Sequence, residues 1–374
     1  MRLNQELLKA EANNFTAVRL LLASSVIYSH SYWSTTGVEG RDDLTDYLGA
    51  SVGTCAVYGF FFLSGFLVYP SLLRLESSAR FLLARFTRLW PGLAVATILT
   101  VLGGWTMTST PGLAYLIGDT IDFIASNLSF LRGHYTLTGV RCGTELCNVN
   151  GSLWTLPWEA RCYLVLALLG VLGLARPSIM VRFVLPSTLA FVIIWNIDSV
   201  PHWVGNAFGH GPAYMIGQFQ QLWGLFALGI AAFLLHRRLI LSWWILGGLL
   251  LVNFMMVRTP QAPQALKVLV GYGVLCLGFL TARNGSFSGR WPDYSYGTYI
   301  YAFPIMVAVH AIWPAASRWA LAASTLAATI PVAMLSWHLV ERPALDLLRR
   351  HGSVSRKSSA PAKDTAVALS QPAD

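Results

Sequence analysis

Ten apolar runs, each long enough to cross a membrane, recur along this chain of 374 residues. The hydrocarbon core of a bilayer is about 30 Å thick, and a helix of about 20 apolar residues spans it. Charged residues make up 11% of the chain, whereas an ordinary soluble domain carries about 25%. The sequence therefore predicts an all-α, polytopic membrane bundle of about ten transmembrane helices. We place them at 15–33, 51–72, 90–108, 157–175, 182–198, 216–235, 239–257, 266–282, 295–314 and 319–339.

Lysine and arginine residues decide the orientation, because the cytoplasmic flanks of membrane helices hold the excess of them. If the amino terminus is cytoplasmic, the cytoplasmic segments carry about three times as many basic residues as the opposite side. We therefore expect both termini in the cytoplasm. The same bias explains the formal net charge of +9 through topology and contact with anionic lipid headgroups. A nucleic-acid partner is not expected.

The two ends of the chain are predicted to differ in structure. Residues 1–343 form the membrane domain, and its first apolar run lacks a clean cleavage site, so we expect it to remain as a span. Residues 344–374 form a cytoplasmic tail that we expect to be disordered, because its end is rich in Ser, Ala, Pro and Lys without apolar periodicity.

Two cysteines, Cys142 and Cys147, lie close together in the long polar loop assigned to the outside. An oxidising exterior favours a disulfide between them, and two free thiols are the alternative. This loop supplies too few further ligands for a metal ion, so no metal site is expected.

The first apolar run carries two ionisable residues, Arg19 and His30. Eleven residues are almost three helical turns, so both side chains project from one face, about 16 Å apart. Ionisable groups inside a membrane span mark functional sites and avoid lipid. We expect both side chains to face one protein-lined passage.

Arg85 and Arg88 share a helix face at the predicted cytoplasmic end of the third span. One interpretation is a positive-inside anchor. The other is a clamp for a phosphorylated donor, because guanidinium groups match phosphate geometry.

Glu159 follows Pro157 in the first turn of the fourth predicted helix, where the helix dipole favours a carboxylate. Besides this capping role, Glu159 lies at the predicted depth of His30 and could orient its imidazole. Tyr163 follows at i+4 on the same face.

Four further residues receive structural interpretations. Ser64 and Gly65 permit close helix approach in the second span. Tyr296 is typical of an aromatic belt at the membrane interface. Glu341 is assigned to the end of the last span, where it could form a surface pair with Arg342.

In this order, these elements resemble the acyltransferase-3 family of bacterial integral-membrane O-acyltransferases. Many members have a histidine at the position of Ala302, and its absence here leaves His30 as the better candidate for chemistry. The resemblance spans residues 14–343 and rests on Arg19-x10-His30, FFFLSGFLV, the run of Arg85, Arg88, Trp90 and Pro91, NGSLWTLPWE with Tyr163, SYGTYIYAFP, and Glu341-Arg342-Pro343.

The resemblance implies an enzyme of the bacterial cytoplasmic (inner) membrane that moves an acyl group, commonly acetyl, from cytoplasmic acetyl-CoA to a saccharide hydroxyl. The acyl-CoA is a co-substrate, and no bound cofactor is expected. Acceptors include exported polysaccharides and lipid-linked oligosaccharides.

Site roles follow from that implication. His30, Glu159 and Arg19 are the catalytic candidates, with His30 as general base or as covalent acyl carrier. Trp154, Asn150 and Tyr163 are the candidates for binding the acceptor. Arg85, Arg88 and Arg19 are expected to bind the acyl donor.

Two other functions remain open from the sequence. A transporter or flippase for polysaccharide or lipid-linked sugar would also have many spans and intramembrane charges. A membrane-embedded partner protein with decayed catalysis is the third possibility.

Overall fold

The computed structural model describes residues 1, 3, 6–142, 145–146 and 148–358. Within this part, the only paired strands are β1 (Arg141–Cys142) and β2 (Glu145–Leu146), which pair antiparallel. The α-helices are α1 (Phe15–Thr36), α2 (Thr45–Leu48), α3 (Val52–Leu75), α4 (Ser78–Met107), α5 (Leu113–Ile117), α6 (Asp119–Leu128), α7 (Leu156–Val171), α8 (Pro177–Ile179), α9 (Leu185–Trp195), α10 (Ser199–Phe208), α11 (His210–Leu234), α12 (Trp243–Met256), α13 (Ala262–Leu275), α14 (Ser295–Ile312), α15 (Arg318–Ser336) and α16 (Arg342–Ser358).

Short helices of other types extend or precede several of these. π-helical turns follow α8, α13 and α15 at Met180–Val184, Cys276–Leu280 and Trp337–Glu341, and 3-10 turns lie at Ala10–Ala12, Gly151–Thr155 and His236–Arg238. Apart from the short β1–β2 pair, the regular structure of the described residues is helical, and the chain is an all-α membrane protein, as the sequence predicts.

The predicted number of spans is not confirmed. Each of the ten apolar segments overlaps a helix, but six helices of the described chain are long and apolar enough to cross a membrane. These six are Val52–Leu75, Ser78–Met107, Pro177–Trp195, His210–Leu234, Ala262–Leu280 and Arg318–Arg350. Helices α7 and α12 are short, with 16 and 14 residues. Helices α1 and α14 are long enough but rich in Ser, Thr and Tyr, which lowers their mean hydropathy.

Helix α3 lies at the centre of the bundle and packs against α1, α11 and α13. Two glycines permit its contact with α11. A Cβ atom on Gly65 would lie 1.8 Å from the carbonyl oxygen of Phe226, and one on Gly229 would lie 2.0 Å from that of Phe62. The backbones of α3 and α11 therefore touch at these two points, and any side chain there would force them apart.

Helix α1 packs against α3, α14 and α15. Asn14, the residue just before α1, fixes the loop that leads into α14. Its side-chain oxygen accepts hydrogen bonds from the backbone N–H groups of Phe287 and Ser288 at 3.0 and 3.2 Å. This contact places the start of α14 beside the first turns of α1.

Helix α16 covers the first part of the segment predicted to be a disordered tail. The carboxylate of Asp346 lies 3.7 Å from Arg342 Nε and 3.6 Å from Arg349 Nη1. These pairs have the i,i+4 and i,i+3 sequence spacings that support a helix. Residues 359–374 lie outside the described part of the chain, so disorder there stays a prediction.

Candidate active site

A cavity of about 130 Å³ lies between α1, α3, α4, α7 and α14. Apolar side chains such as Phe60, Phe61 and Leu89 form part of its wall. The remainder of the wall is polar and comprises Arg19, Ser64, Arg85, Arg88, Thr155, Glu159, Tyr163, Asp293, Ser295, Tyr296 and Tyr299. A polar cavity inside a membrane bundle is where ionisable groups are tolerated and where function is expected.

One side of the cavity is a chain of ion pairs. Asp293 accepts from Arg19 Nη1 at 2.8 Å and from Arg88 Nη2 at 3.0 Å. Arg88 also donates to Glu341, whose side chain is 1% exposed. The interpretation of Glu341 as the surface partner of Arg342 is therefore wrong, because Glu341 turns inward to Arg88.

Arg88 is fixed on every side. Its guanidinium carbon lies 5.4 Å from the centre of the Tyr296 ring and 5.3 Å from that of Trp337, and the hydroxyl of Tyr296 donates to the carbonyl of Leu89 at 2.6 Å. With two carboxylates and two aromatic rings around it, Arg88 has few donors left for a ligand. Tyr296 faces the cavity rather than the membrane interface predicted for it.

Asp293 is the functional residue that sequence reasoning missed. It lies two residues before α14, outside the predicted span, and Ser295 also donates to it at 2.5 Å. Burial raises the pKa of Asp293, but the charges of Arg19 and Arg88 outweigh burial and hold that pKa well below its ordinary value. The sequence did offer one signal for it: Asp293 lies on the predicted cytoplasmic side of the membrane, the same side as these arginines.

Arg85 differs from the other two arginines of the cavity. Across the described residues it makes no hydrogen bond or ion pair, and its Nε is buried without a partner. Its guanidinium carbon lies 6.0 Å from the centre of the Phe81 ring. A buried polar atom without a partner is unfavourable, and no carboxylate of the described residues pairs with this guanidinium, so Arg85 is the arginine of this wall that lacks an anion.

Another part of the wall is a group of hydrogen-bonded side chains around the carboxylate of Glu159. The Tyr163 hydroxyl donates to Glu159, and Ser64 lies 3.0 Å from the Tyr163 hydroxyl and 3.4 Å from Glu159. Ser64, interpreted as a helix-packing residue, therefore also contributes a polar contact to the cavity. Asp293 and Glu159 line the cavity with the three arginines, and Glu341 pairs with Arg88 beside it, so Arg85 is the arginine that no carboxylate of the described residues pairs with.

His30 lies outside this cavity, contrary to the expectation that it shares a passage with Arg19. Its ring packs against Phe303, with ring centres 4.8 Å apart, and it borders a separate gap that has no space for a water molecule. Helical spacing placed Arg19 and His30 on one face of α1, but neighbouring helices divide that face into two compartments. Glu159 lines the compartment of Arg19, so the structure does not bring Glu159 to the imidazole.

The three residues predicted to bind the acceptor are not brought together. Asn150 is fully buried and donates to the carbonyl of Ile300 at 2.9 Å. Trp154 is half-buried and packs against the hydrophobic core, while Tyr163 faces the cavity. For the predicted disulfide, Cys147 lies outside the described residues, and the pairing with Cys142 stays a prediction.

The acyltransferase-3 family model, described as an acyltransferase domain, matches residues 13–338. The chain belongs to this family. It is therefore an acyltransferase, which decides against a transporter without catalysis.

Two curated relatives extend over almost the whole chain. Nodulation protein 10 of Rhizobium leguminosarum bv. viciae is 27% identical and the alignment covers 93% of this chain and 96% of the relative. An O-acetyl transferase of Shigella phage Sf6 is 27% identical, with coverage of 89% and 96%. No solved structure matches the chain.

Proposed function

We propose that this acyltransferase transfers an acetyl group from cytoplasmic acetyl-CoA to a hydroxyl of a cell-surface or exported saccharide, in the bacterial cytoplasmic membrane with both termini inside. The observation that carries the donor assignment is Arg85, whose Nε is buried without a partner and whose guanidinium pairs with no carboxylate of the described residues, in the wall of a polar cavity. The name of the phage relative, O-acetyl transferase, supports the acetyl group and the hydroxyl acceptor.

The donor enters from the side on which Arg19, Arg85 and Arg88 lie. Arg85 binds a phosphate oxygen of the donor, because a charge-assisted hydrogen bond from guanidinium to phosphate is strong and directional. Arg19 keeps part of its guanidinium accessible, with a side chain that is 30% exposed, and assists. Arg88 supports the site indirectly by holding Asp293, which in turn orients Arg19.

The reaction forms one ester bond and breaks one thioester bond. The acceptor oxygen attacks the acyl carbon, its proton passes to a base, and the C–S bond breaks so that the CoA thiolate leaves and is protonated. His30 is the proposed base. In the covalent variant, the imidazole first takes the acyl group and the acceptor hydroxyl then removes it. Glu159, held by Tyr163 and Ser64, is a second proton acceptor inside the donor cavity.

The acceptor approaches from the opposite side of the membrane. Trp154 and Asn150 belong to the segment that leads into α7, and Ser152 of this segment borders the gap beside His30. A sugar ring can stack on an exposed indole face, and Trp154 is half-buried with part of its ring available. The acceptor is either a saccharide or a lipid-linked oligosaccharide.

The experiment measures CoA thiol released by the purified protein from acetyl-CoA, with surface saccharide supplied as acceptor. Wild type should release thiol in proportion to acceptor acetylation, detected as one acetyl unit of added mass. His30→Ala should lose transfer by at least about 100-fold while eluting as a folded protein. Acceptor acetylation that persists in His30→Ala would remove His30 from the mechanism, and no thiol release by wild type would overturn the acetyl-CoA assignment.

A further inference from the structure

The donor cavity and the gap beside His30 share one wall residue, Tyr299. This side chain borders both spaces. The remaining residues around the gap include Ala23, Ala302 and Met306, which are small or flexible. One aromatic ring therefore separates the compartment of the arginines from the compartment of the imidazole.

The Tyr299 ring is held in this dividing position from two directions. Its hydroxyl lies 2.8 Å from the hydroxyl of Thr155, at the start of α7. The ring of Phe60 on α3 contacts it edge to face, with ring centres 5.7 Å apart and planes at 71°. One turn further along α14, Phe303 packs against His30. The Tyr299 ring on α14 is therefore held in place by contacts with α3 and with the start of α7.

The far compartment has a polar group that lacks a partner. Ser152 borders the gap with His30, is 1% exposed, and its hydroxyl makes no hydrogen bond within the described chain. A buried hydroxyl without a partner is unfavourable by about 1–3 kcal/mol. An acyl carbonyl oxygen that reached the gap would accept a hydrogen bond from Ser152, and the buried hydroxyl would then have a partner.

We propose that Tyr299 determines the length of the acyl group that the enzyme transfers. This inference rests on the proposed use of acyl-CoA. With the ring in place, the donor cavity ends at Tyr299, because the gap beyond it has no space for even a water molecule. A small displacement of the ring admits a short acyl group towards His30, whereas a longer chain collides with Tyr299 and Phe303. Removing the ring joins the two spaces and lengthens the acyl end of the cavity.

The test compares acyl-CoA donors of two, four and six acyl carbons in the thiol-release assay. Tyr299→Ala should raise the rate ratio of the six-carbon donor to acetyl-CoA by about tenfold or more, since each methylene accommodated in an apolar pocket changes selectivity by about that factor. Tyr299→Leu, which keeps much of the volume, should give a smaller change in the same direction and serves if Tyr299→Ala fails to fold. Tyr299→Phe retains the ring and should keep the wild-type ratio.

The matched control is Tyr301→Ala. Tyr301 is a buried tyrosine of the same helix, but its hydroxyl contacts Ser336 at 3.1 Å and it borders neither the donor cavity nor the His30 gap. This control should keep the wild-type chain-length ratio, whatever its total activity. An unchanged ratio in folded, active Tyr299→Ala or Tyr299→Leu would overturn the proposal, as would an equal change in Tyr301→Ala. If wild type uses no acyl-CoA at all, the proposed function itself fails, and this inference fails with it.

Discussion

The arginines that line the cavity show how one residue type takes different roles in one site. Arg88 is held by two carboxylates and two rings, and Arg19 shares Asp293 with it, whereas Arg85 pairs with no carboxylate of the described residues and lies near one ring, that of Phe81. At the scale of the residue, the structure therefore separates arginines that build the wall from the arginine that is left for a ligand. Asp293 is the residue on which the wall depends, because it joins α1 to α4.

Asp293→Asn should destabilise the protein by on the order of 3 kcal/mol, because two partly buried arginines lose their shared carboxylate. The measurement is thermal unfolding in detergent, with Asp46→Asn as control. Asp46 pairs with Arg41 on the surface, with 79% of its side chain exposed, and its replacement should change stability by less than about 1 kcal/mol.

The pH dependence of stability in wild type and in Asp293→Asn tests the lowered pKa of Asp293. A carboxyl whose pKa is lower in the folded state stabilises it fully above the unfolded value and loses that contribution as pH falls through the folded value. The stability difference between wild type and Asp293→Asn should stay constant down to about pH 4 and narrow only below it. Narrowing between pH 7 and pH 5 would contradict the lowered pKa.

At the scale of the helix, the contact between α3 and α11 sets the shape of the cavity. Gly65 follows Ser64, a cavity residue, so the position of that wall depends on how closely α3 approaches α11. The sequence predicted close packing at Gly65 but could not name its partner, because small residues reveal a close approach and not the helix that approaches.

Gly65→Ala should lower stability by about 2 kcal/mol or more, because its Cβ would overlap a backbone carbonyl that cannot move as a side chain can. Thermal unfolding measures this change. Gly247→Ala on α12 is the control, since nothing lies within 4 Å of its added Cβ, and alanine favours a helix by about 1 kcal/mol over glycine. If Gly65→Ala unfolds at or above the wild-type temperature, the close contact of α3 and α11 is wrong.

At the scale of the whole molecule, the sequence predicted the helical membrane fold because hydropathy acts locally. It also located Arg19, Arg85 and Glu159, since charges beside or within apolar runs stand out. It did not predict which of them meet. Helical spacing gives the face of a residue such as His30, but the neighbour of that face depends on tertiary packing, which here inserts Tyr299.

Because tertiary neighbours are not visible in the sequence, Glu341 was predicted to lie at the surface. Glu341 beside Arg342 looks like a surface pair in the sequence, yet a partner 253 residues away, Arg88, turns it inward. A related limit applies to the predicted number of spans, which is not confirmed. Four predicted spans correspond to helices that fall short by length or hydropathy, and three of these helices, α1, α7 and α14, supply polar residues to the cavity wall. In α1 and α14, which are long enough, polar residues lower the hydropathy on which the count relies.

The most direct test of the account is the KM for acetyl-CoA in Arg85→Gln. Loss of a charge-assisted hydrogen bond to a donor phosphate is worth about 1.5–3 kcal/mol, so the KM should rise by about 10- to 100-fold with a smaller change in kcat. Arg80→Gln is the control, because Arg80 is an exposed arginine on the same helix and outside the cavity. An unchanged KM in Arg85→Gln, or an equal rise in Arg80→Gln, would contradict the assignment of the cavity to the acyl donor.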